Sequence, residues 1–524
     1  MSDTLAERTF VLGLDGIPWS LLTRWAADGS LPNFARLVEE GTTGPLESTM
    51  PPTTALAWPS IATGVRPDKS GIYSFRRLTE EHTHEIYTSA DIRQPSLWNV
   101  LSPAVVANVP MTYPAQEIDG TIVTGMMTPE IGDGFTHPPA LREHIESHIP
   151  DYRIGLDWSQ YYDRTEQFLE EFDTLLSARR ALMRELMDID EWELFFFVYT
   201  EPDRLQHLIW DEETLLAHYT DLDDILGEVI EYVTERNANL FVVSDHGFGP
   251  VSKFVHVNTV LENAGYLARE SGSSVRTLMG GMGVNKDNVR SVLQAANLEQ
   301  RLLKTLPEGL ISRAATNIPG DHKLFDVDFS ETEVFVYSSG NVYVNDSERF
   351  TNGIVDPNDR VSLKRAVAEL FEGVTDPETG ETVLTVHDGD DLFPTDPDSP
   401  DLIVRAVDGY EESTKLDRTV ITSSGGKAAG HRSEGVFLSW GPDIAHGTVT
   451  GATVYDVAPT VLHSLLKPVP DRADGSVLDI FEPGSAPART EPRQQRYETK
   501  TARRAPDGEF DEVETRLRGL GYID

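Results

Sequence analysis

Short apolar runs that end beside acidic residues form the clearest hydrophobic pattern of the chain. They cover residues 10–14, 194–199 and 240–243, and the segments that follow them contain Asp15, Asp203 and Asp245. Each run is apolar at consecutive positions, which is typical of strands buried on both faces of a parallel sheet. The pattern therefore predicts a buried sheet with an acidic residue shortly after each of these strands.

Amphipathic stretches lie between the apolar runs. In the clearest, residues 165–187, apolar side chains recur at near-helical spacing at Phe168, Phe172, Leu175, Leu176 and Leu182. Strand and helix signals that alternate in this way indicate an α/β fold. We predict a mixed, mainly parallel central sheet flanked by helices, with ligands bound outside the carboxyl ends of its strands.

The middle of the chain, residues 252–415, has a less regular pattern. Its recognisable parts are a glycine-rich run at 280–283, a helical stretch at 292–306, β-rich stretches at 333–338 and 341–344, and an Asp- and Pro-rich segment at 388–401. We predict that residues 252–415 form a cap inserted into the main domain. The segment 388–401 is expected to be a solvated loop.

Regular patterning returns after the cap. Residues 436–440 have the pattern of a core strand and residues 453–466 that of a closing helix. The main domain is therefore predicted to span residues 1–480. Residues 481–524 are predicted to form an extended tail with a short helix at 512–520, because the start of this segment is rich in Pro, Arg and Glu and has no core pattern.

The charge balance narrows the range of partners. The 524 residues include 44 Lys and Arg against 86 Asp and Glu, a formal net charge of −42. Such a chain repels nucleic-acid backbones and anionic membranes, so neither is an expected partner through bulk electrostatics. We interpret the composition as a surface adapted to high salt, where screening makes self-repulsion tolerable. The alternative is an acidic mesophilic protein.

The chain contains no cysteine, which excludes disulfides, thiolate zinc sites and cysteine nucleophiles. Residues 1–8 have neither a basic start nor a long apolar run, and no stretch has the length and apolarity of a membrane span. We expect a cytoplasmic protein, with an unusual export signal as the alternative. The sequence gives no indication of the oligomeric state.

Two Asp–His pairs follow the apolar runs. Asp203 and His207 are four positions apart, so a helix that begins at Pro202 would point both side chains to one side. Asp245 and His246 are neighbours that converge only in an extended or turn backbone, which Gly247 is expected to permit. Each pair can hold a divalent cation. A surface pair on a helix and a simple strand-end turn are the alternatives.

Two further candidate ligands are isolated in the sequence. Asp15 precedes a glycine, a combination that more often marks a turn, and His431 follows a glycine-rich loop at 425–430. Carboxylate and imidazole ligands without thiolate suit zinc, with manganese as the alternative. We expect the second ring nitrogens of the histidines to donate to neighbouring carboxylates.

A hydroxyl-bearing segment covers residues 48–64. Thr54 follows two prolines and another threonine, and it precedes an apolar helical run. A threonine in this position would lie at a helix N-terminus, where backbone N–H groups and the helix dipole favour a bound phosphate. The alternative is that Thr53 or Thr54 only caps the helix.

Taken together, these motifs resemble those of the type I phosphodiesterase/nucleotide pyrophosphatase family of the alkaline phosphatase superfamily. The resemblance spans most of residues 8–480 and is carried by Gly13–Gly16, the segment 48–64, Glu201–Asp203 with His207, Ser244–Gly247, His431 and Tyr455–Thr460. The family implies an alkaline phosphatase-like fold and two metal ions. One metal would be held by Asp203, His207 and His431. The other would be held by Asp15, Asp245 and His246, and it would also bind Thr54.

The resemblance implies that Thr54 is the nucleophile of a two-metal phosphoesterase, which forms a phospho-threonine intermediate on a small-molecule phosphate ester. Phosphodiester or nucleotide pyrophosphate-type bonds are the expected substrates. One departure concerns Ala57, which stands where nucleotide pyrophosphatases commonly have an asparagine that contacts a phosphate oxygen. It keeps open a phosphomonoesterase or a phosphoglycerate mutase-like phosphotransferase of the same superfamily. A non-catalytic binding protein with this fold is a further alternative.

Overall fold

The computed structural model describes residues 6–156, 161, 164–270, 327–424, 427–498 and 510–519. The predicted glycine-rich run at 280–283 and the predicted helix at 292–306 lie outside these residues. The strands are β1 (Thr9–Leu14), β2 (Thr42–Glu47), β3 (Arg76–Leu78), β4 (His84–Ile86), β5 (Ala104–Ala107), β6 (Gly120–Val123), β7 (Thr136–His137), β8 (Leu194–Tyr199), β9 (Asn239–Val243), β10 (Gly247–His256), β11 (Val334–Val336), β12 (Asn341–Val344), β13 (Leu384–Asp388), β14 (Leu402–Ala406), β15 (Gly409–Ser413), β16 (Ile421–Ser423), β17 (Ala429–Arg432), β18 (Glu434–Trp440), β19 (Gly447–Thr448), β20 (Ala452–Thr453), β21 (Val469–Pro470) and β22 (Gln494–Gln495).

The helices of the first half are α1 (Trp19–Ala27), α2 (Pro32–Glu40), α3 (Thr54–Thr63), α4 (Pro67–Ser70), α5 (Leu97–Val100), α6 (Ala140–His148), α7 (Thr165–Met187), α8 (Glu201–Leu208), α9 (Glu212–Glu235) and α10 (Val257–Ala264). Later helices cover Arg360–Glu372, Gly389–Leu392, Val457–Ser464, Ala486–Arg489 and Asp511–Gly519, and 3-10 turns cover Ser89–Asp91, Pro357–Asp359 and Val454–Asp456. None of the described helices is long and apolar enough to cross a membrane.

A sheet of ten strands forms the centre of the molecule. Its order is β19-β2-β18-β9-β1-β8-β5-β6-β7, and β20 also pairs with β2. β1 is parallel to β8 and β9, and β5 is parallel to β6 and β8, whereas β18 is antiparallel to both of its neighbours. The predicted mixed, mainly parallel sheet is therefore confirmed.

Both faces of this sheet are covered. Along β1, Phe10 and Leu12 point into a core that includes α1, α2, α7 and α9, and Val11 points into a second core that includes α3 and the helix Val457–Ser464. This alternation explains why the central strands are apolar at every position. Each fully buried Phe or Leu contributes about 1.5–3 kcal/mol to folding, so the sheet is a rigid support for the segments that follow its strands.

A third hydrophobic core lies within residues 255–421. It packs beneath a sheet of order β11-β12-β14-β13, and a further small sheet, β15-β10-β16, joins this region to the strands after residue 247. A separate core is the arrangement expected of an inserted cap. The boundaries 252–415 and 1–480 stay predictions.

The predicted solvated loop at 388–401 is wrong in part. Residues Gly389–Leu392 form a short helix, and Asp401 is fully buried. Asp401 accepts hydrogen bonds from Arg349, at 2.8 Å, and from Arg360. A buried carboxylate is tolerated when cations satisfy it, and these two arginines come from distant parts of the cap.

The C-terminal segment 481–524 is not extended throughout the part that the structure describes. β22 pairs with β21, and the helix Asp511–Gly519 buries Val513 and Leu517 in the core beneath α7 and α9. Val513 and Leu517 are one turn apart, so they lie on the same face of this helix. The extended conformation of this segment is therefore wrong in part, and its boundary at residue 481 stays a prediction.

Candidate functional site

The carboxyl ends of β1, β8 and β9 meet at one edge of the sheet. Because β1 pairs in parallel with both β8 and β9, the residues that follow these strands are close in space. Asp15 directly follows β1, α8 begins two residues after β8, and Asp245 and His246 follow β9. The sheet topology alone thus gathers candidate ligands from three distant segments.

Asp15, Asp245 and His246 form the first group, here called the inner set. Ligand atoms of all three lie within 4.8 Å of one another. His246 Nε2 lies 3.6 Å from Asp15 Oδ1 and 3.3 Å from Asp245 Oδ2. The three side chains are at most 1 % exposed, so any ion among them is shielded from bulk water.

Asp203, His207 and His431 form the second group, the outer set. α8 has Pro202 in its first turn, and its i, i+4 pair Asp203 and His207 lies on one side, with His207 Nε2 3.5 Å from Asp203 Oδ1. His431 comes from β17, and its Nε2 lies 3.2 Å from Asp203 Oδ1 and 3.0 Å from His207 Nε2. These three side chains could also hold one cation.

The two sets adjoin each other. His246 Nε2 lies 3.9 Å from Asp203 Oδ1, and the rings of His246 and His431 stack with centroids 3.9 Å apart. All six candidate ligands are therefore part of one cluster, although they are spread from residue 15 to residue 431.

Thr54 is the first residue of α3 and is fully buried beside the inner set. Its Oγ1 lies 3.2 Å from His246 Nε2 and 3.4 Å from Asp15 Oδ1. Thr53, the N-cap residue, makes no side-chain cap hydrogen bond, which does not favour the capping alternative. The structure brings together Thr54 and all six predicted ligands.

Trp58 is a site residue that the sequence did not indicate. It lies one turn after Thr54 on α3, and its indole N–H donates to Asp15 Oδ2 at 2.9 Å. This bond leaves Asp15 Oδ1 facing His246 and Thr54. A side chain on Gly13 would place its Cβ 2.4 Å from the Trp58 ring, so the glycine of β1 makes room for the indole.

The histidine partners differ from the expectation. His246 Nδ1 donates to the carbonyl of Gly247 at 3.1 Å, and His431 Nδ1 donates to the carbonyl of Pro52 at 3.0 Å. The predicted carboxylate partners are therefore wrong for these two residues, because backbone carbonyls lie closer. Because these bonds engage Nδ1, the Nε2 atoms of His246 and His431 face the cluster.

Gly247 is needed for a different reason from the one predicted. It begins β10 and is not among the glycines with a left-handed backbone. A Cβ at this position would lie 2.2 Å from the carbonyl oxygen of Glu434. Close approach of the neighbouring strand, rather than a turn, therefore requires glycine after His246.

The electrostatics of the inner set are those of crowded, buried carboxylates. Burial and the charge of Asp245 raise the pKa of Asp15 well above its usual value, and burial and the charge of Asp203 raise the pKa of Asp245. Burial and the neighbouring His431 lower the pKa of His246. The inner set therefore favours the neutral form of the His246 imidazole, and its carboxylates need a nearby positive charge to be ionised.

The outer set has the opposite balance. Burial raises the pKa of Asp203, but His207 and His431 outweigh burial and hold this pKa well below its usual value. Burial lowers the pKa of His207 to about 4. At neutral pH this set therefore presents an ionised carboxylate and an unprotonated imidazole at His207, the forms that ligate metals.

The residues fit divalent cations. Three buried carboxylates in one cluster are costly without a compensating charge. Among the described atoms, the buried Oδ2 of Asp245 accepts no hydrogen bond, and it lies 3.3 Å from His246 Nε2. Nitrogen and oxygen donors without thiolate suit zinc or manganese.

Comparisons with known proteins identify the family of this chain. The chain matches the family described as "Type I phosphodiesterase / nucleotide pyrophosphatase" over residues 9–426. No curated protein sequence matches it. Similar solved structures are the murine ectonucleotide pyrophosphatase/phosphodiesterase 5, at 13 % identity and a TM-score of 0.49, and its human counterpart, at 12 % and 0.49. Each comparison covers 91 % of this chain and 100 % of the other. The chain is a member of the type I phosphodiesterase/nucleotide pyrophosphatase family of phosphoric ester hydrolases.

Proposed function

We propose that this protein hydrolyses phosphodiester or nucleotide pyrophosphate-type bonds through a phospho-threonine intermediate at Thr54. The proposal includes two divalent cations, one in each ligand set, with zinc as the expected metal and manganese as the alternative. The observation that carries it is the position of Thr54 Oγ1, 3.2 Å from His246 Nε2 and at the N-terminus of α3. A hydroxyl at such a position is next to both a metal site and an anion site.

The side chains have separate roles in this proposal. Bound cations would lower the pKa of a coordinated hydroxyl and neutralise charge on the phosphoryl oxygens. Thr54 Oγ1 gives its proton to solvent water and bonds to phosphorus while the bond from phosphorus to the leaving oxygen breaks. Water then hydrolyses the phospho-threonine and restores the hydroxyl. The N-terminus of α3 stabilises the anionic phosphoryl group during both steps.

Trp58 and two carbonyl groups keep the ligands in place. Trp58 orients Asp15 through its 2.9 Å bond, and the carbonyls of Gly247 and Pro52 orient the rings of His246 and His431. Fixed ligands need little reorganisation during the reaction, which is the source of most electrostatic catalysis.

Ala57 supports the second candidate function. It lies on α3 one turn after Thr53 and carries no group that can bond a phosphate oxygen. A phosphomonoesterase or a phosphoglycerate mutase-like phosphotransferase of the same superfamily is therefore the alternative. A higher kcat/KM for monoesters than for diesters with the same leaving group would favour it.

The test uses three variants of the metal-loaded protein. Thr54→Ala should lower turnover by about three orders of magnitude or more, since it removes the nucleophile and leaves the fold intact. Thr54→Ser should retain part of the activity and should be phosphorylated at residue 54 when the reaction is quenched rapidly and analysed by mass spectrometry. Thr53→Ala is the matched control and should keep wild-type turnover. Wild-type rates in Thr54→Ala, or phosphate found on residue 53, would overturn the proposal.

Metal identity is tested separately by removing bound metal with a chelator and adding zinc or manganese back. The proposal requires two equivalents of metal for full activity. The cytoplasmic location, which rests on the N-terminal sequence and the lack of a long apolar stretch, and the salt-adapted surface, which rests on composition, stay predictions.

A further inference from the structure

Gln206 lies on α8 between two candidate metal ligands, Asp203 and His207, and takes no part in the mechanism proposed above. Its side chain is fully buried. The Nε2 group donates to the carbonyl oxygen of Gly16 at 2.7 Å, and Oε1 accepts from the hydroxyl of Tyr219 at 3.2 Å. Both ends of the amide are therefore bonded inside the protein.

The orientation of this amide follows from its partners. A carbonyl oxygen can only accept a hydrogen bond, so the group that faces Gly16 is the amide NH2. The hydroxyl of Tyr219 then faces Oε1, to which it donates. Tyr219 is itself fully buried on α9, where its ring packs against Trp25 with centroids 4.9 Å apart. Gln206 is thus held at one end by α9 and bonds to Gly16 at the other.

Gly16 is part of the backbone that carries the inner set. It directly follows the first ligand of that set, and its N–H donates to Asp245 Oδ1 at 3.2 Å. The N–H of Ile17 donates to Ser244 Oγ at 2.8 Å, and this hydroxyl donates to the carbonyl of His246 at 2.7 Å. The segments after β1 and β9 are therefore bonded to each other, so a contact that positions Gly16 also positions the inner set.

α8 packs directly on the turn after β1. Gly16 has a left-handed backbone, with a φ of 75°, and a Cβ on it would lie 3.0 Å from both Cα and Cβ of Asp203. Glycine is therefore required where this turn meets the first turn of α8. Gln206 lies three residues after Asp203, on the same side of the helix. One side of α8 thus contacts the turn at Asp203 and bonds to it through Gln206.

We propose that Gln206 is a positioning residue that fixes the separation of the two ligand sets. It ties α8, which carries Asp203 and His207, to the backbone that carries Asp15. Two-metal catalysis requires ions about 3.5–4 Å apart, and a displacement of about 1 Å can cost a hundredfold in rate. The inference rests on the proposed function and adds to it the residue that sets the distance between the metals.

The experiment measures the zinc–zinc distance by X-ray absorption spectroscopy in the full chain loaded with two equivalents of zinc. The wild-type protein should show one well-defined distance. Gln206→Met keeps a side chain of similar size but removes the amide, so the zinc–zinc scattering should weaken or move to a longer distance. All six ligands remain, so this variant should still bind two equivalents, while kcat at saturating zinc should fall about a hundredfold.

Tyr219→Phe is a second, milder variant. It removes the hydroxyl that holds Oε1 of Gln206 but keeps the ring against Trp25, and the bond from Gln206 to Gly16 remains. We expect a smaller change of the same kind in the zinc–zinc scattering and a loss in kcat of about tenfold, because one hydrogen bond is removed. This variant tests the proposal even where Gln206→Met does not fold.

Asn239→Leu is the matched control. The side chain of Asn239 is also fully buried and also donates one hydrogen bond and accepts another, both with Asp443, at 3.1 and 3.3 Å. Asn239 begins β9, whereas Asp245 and His246 follow the end of this strand, so its amide lies at the opposite edge of the sheet. This variant should lose thermal stability but keep the wild-type zinc–zinc distance and kcat.

The outcomes separate the two proposals. An unchanged zinc–zinc distance in Gln206→Met and Tyr219→Phe, or an equal change in Asn239→Leu, would overturn the inference alone. A wild-type protein that holds two zinc ions at a fixed distance but hydrolyses neither phosphodiesters nor nucleotide pyrophosphates would overturn the proposed function, and the distance in the variants would still decide the role of Gln206. A wild-type protein that binds fewer than two zinc ions would overturn both.

Discussion

The inner and outer ligand sets contain the same kinds of side chain but are built differently. The inner set comes from segments that directly follow β1 and β9, two paired strands of the central sheet. The outer set combines α8 with β17, a strand that pairs with β10 outside the central sheet. His431 is 10 % exposed, whereas the inner set is at most 1 % exposed.

The difference shows that one fold can combine a fully buried half-site with a partly exposed one. The inner set is held by the sheet and by Trp58, and it carries the residue proposed as nucleophile. The outer set depends on a helix, α8, and on a strand outside the central sheet, β17. We expect metal in the outer set to exchange more readily than metal in the inner set, because His431 is partly exposed. Variants in the two sets should therefore fail in different ways.

The largest effect is expected in the inner set. Asp245→Asn replaces a buried anionic ligand by a neutral amide of the same shape, and it should lower kcat by about three orders of magnitude, equivalent to several kcal/mol of transition-state stabilisation. Added metal should not restore the activity. Turnover measured over a range of zinc concentrations checks this, and recovery at high zinc would contradict the fixed character of the inner set.

A smaller effect is expected in the outer set. His431→Gln removes an edge ligand and should lower activity about a hundredfold at low metal, with substantial recovery as metal is added, because Asp203 and His207 remain. The same zinc titration provides the measurement. A loss as deep and as irreversible as that of Asp245→Asn would show that the two sets do not differ in this respect.

The contribution of Trp58 to the inner set can be isolated with Trp58→Phe. This change keeps a large aromatic ring in the core but removes the N–H that donates to Asp15 Oδ2. Loss of such an orienting partner costs about 10–100-fold in metal affinity or activity. Trp98→Phe is the control, since Trp98 packs in the same core away from both sets. Equal effects of the two changes would assign Trp58 to packing only.

Proton release should also distinguish the sets. Asp15 and Asp245 have raised pKa values, so they keep protons to a higher pH than ordinary carboxyls in the metal-free protein, and these protons leave when metal binds. His207, with a pKa of about 4, is already unprotonated at neutral pH and releases none. Metal affinity should therefore rise with pH and level off once the pH exceeds the raised pKa values of Asp15 and Asp245. Calorimetry in buffers of different ionisation enthalpy measures the release, and heats that do not depend on the buffer would exclude it.

The smallest effect is expected for the salt dependence of stability. Salt ions screen the charged surface, whereas the inner set is buried. With a net charge of −42, the protein should gain stability in molar salt through screening of its self-repulsion. A rise in Tm of about 2–4 °C corresponds to roughly 1 kcal/mol in a large domain. Thermal unfolding from dilute buffer to molar sodium chloride tests this. A Tm that stays flat or falls would remove the salt-adapted interpretation.

The sequence predicted the parts of the site that depend on local pattern. Consecutive apolar residues identified β1, β8 and β9, and parallel topology then brought Asp15, Asp203 and Asp245 to one edge. The i, i+4 spacing of Asp203 and His207 needs only a helix, which α8 provides. The hydrophobic period and the direction of the strands were sufficient to predict where these residues lie.

Features that depend on distant partners were not predictable. The carbonyl that orients His431 belongs to Pro52, far away in the chain. Asp401 has an acidic, loop-like neighbourhood in the sequence, yet Arg349 and Arg360 allow it to be buried. No local pattern contains such pairings, because they exist only after the chain has folded.

Strand order has a consequence for how a growing polypeptide acquires this site. β2 leads into the segment with Thr54. Among the described strands it pairs with β18, β19 and β20. Its Glu47 is in register with Glu434. At about 5–20 residues per second, a ribosome needs roughly 20–80 s to synthesise the intervening chain. During this time β2 lacks these partner strands and presents the unpaired backbone N–H and C=O groups of an open edge. The segment that carries the proposed nucleophile is therefore among the first to be made and among the last to be anchored.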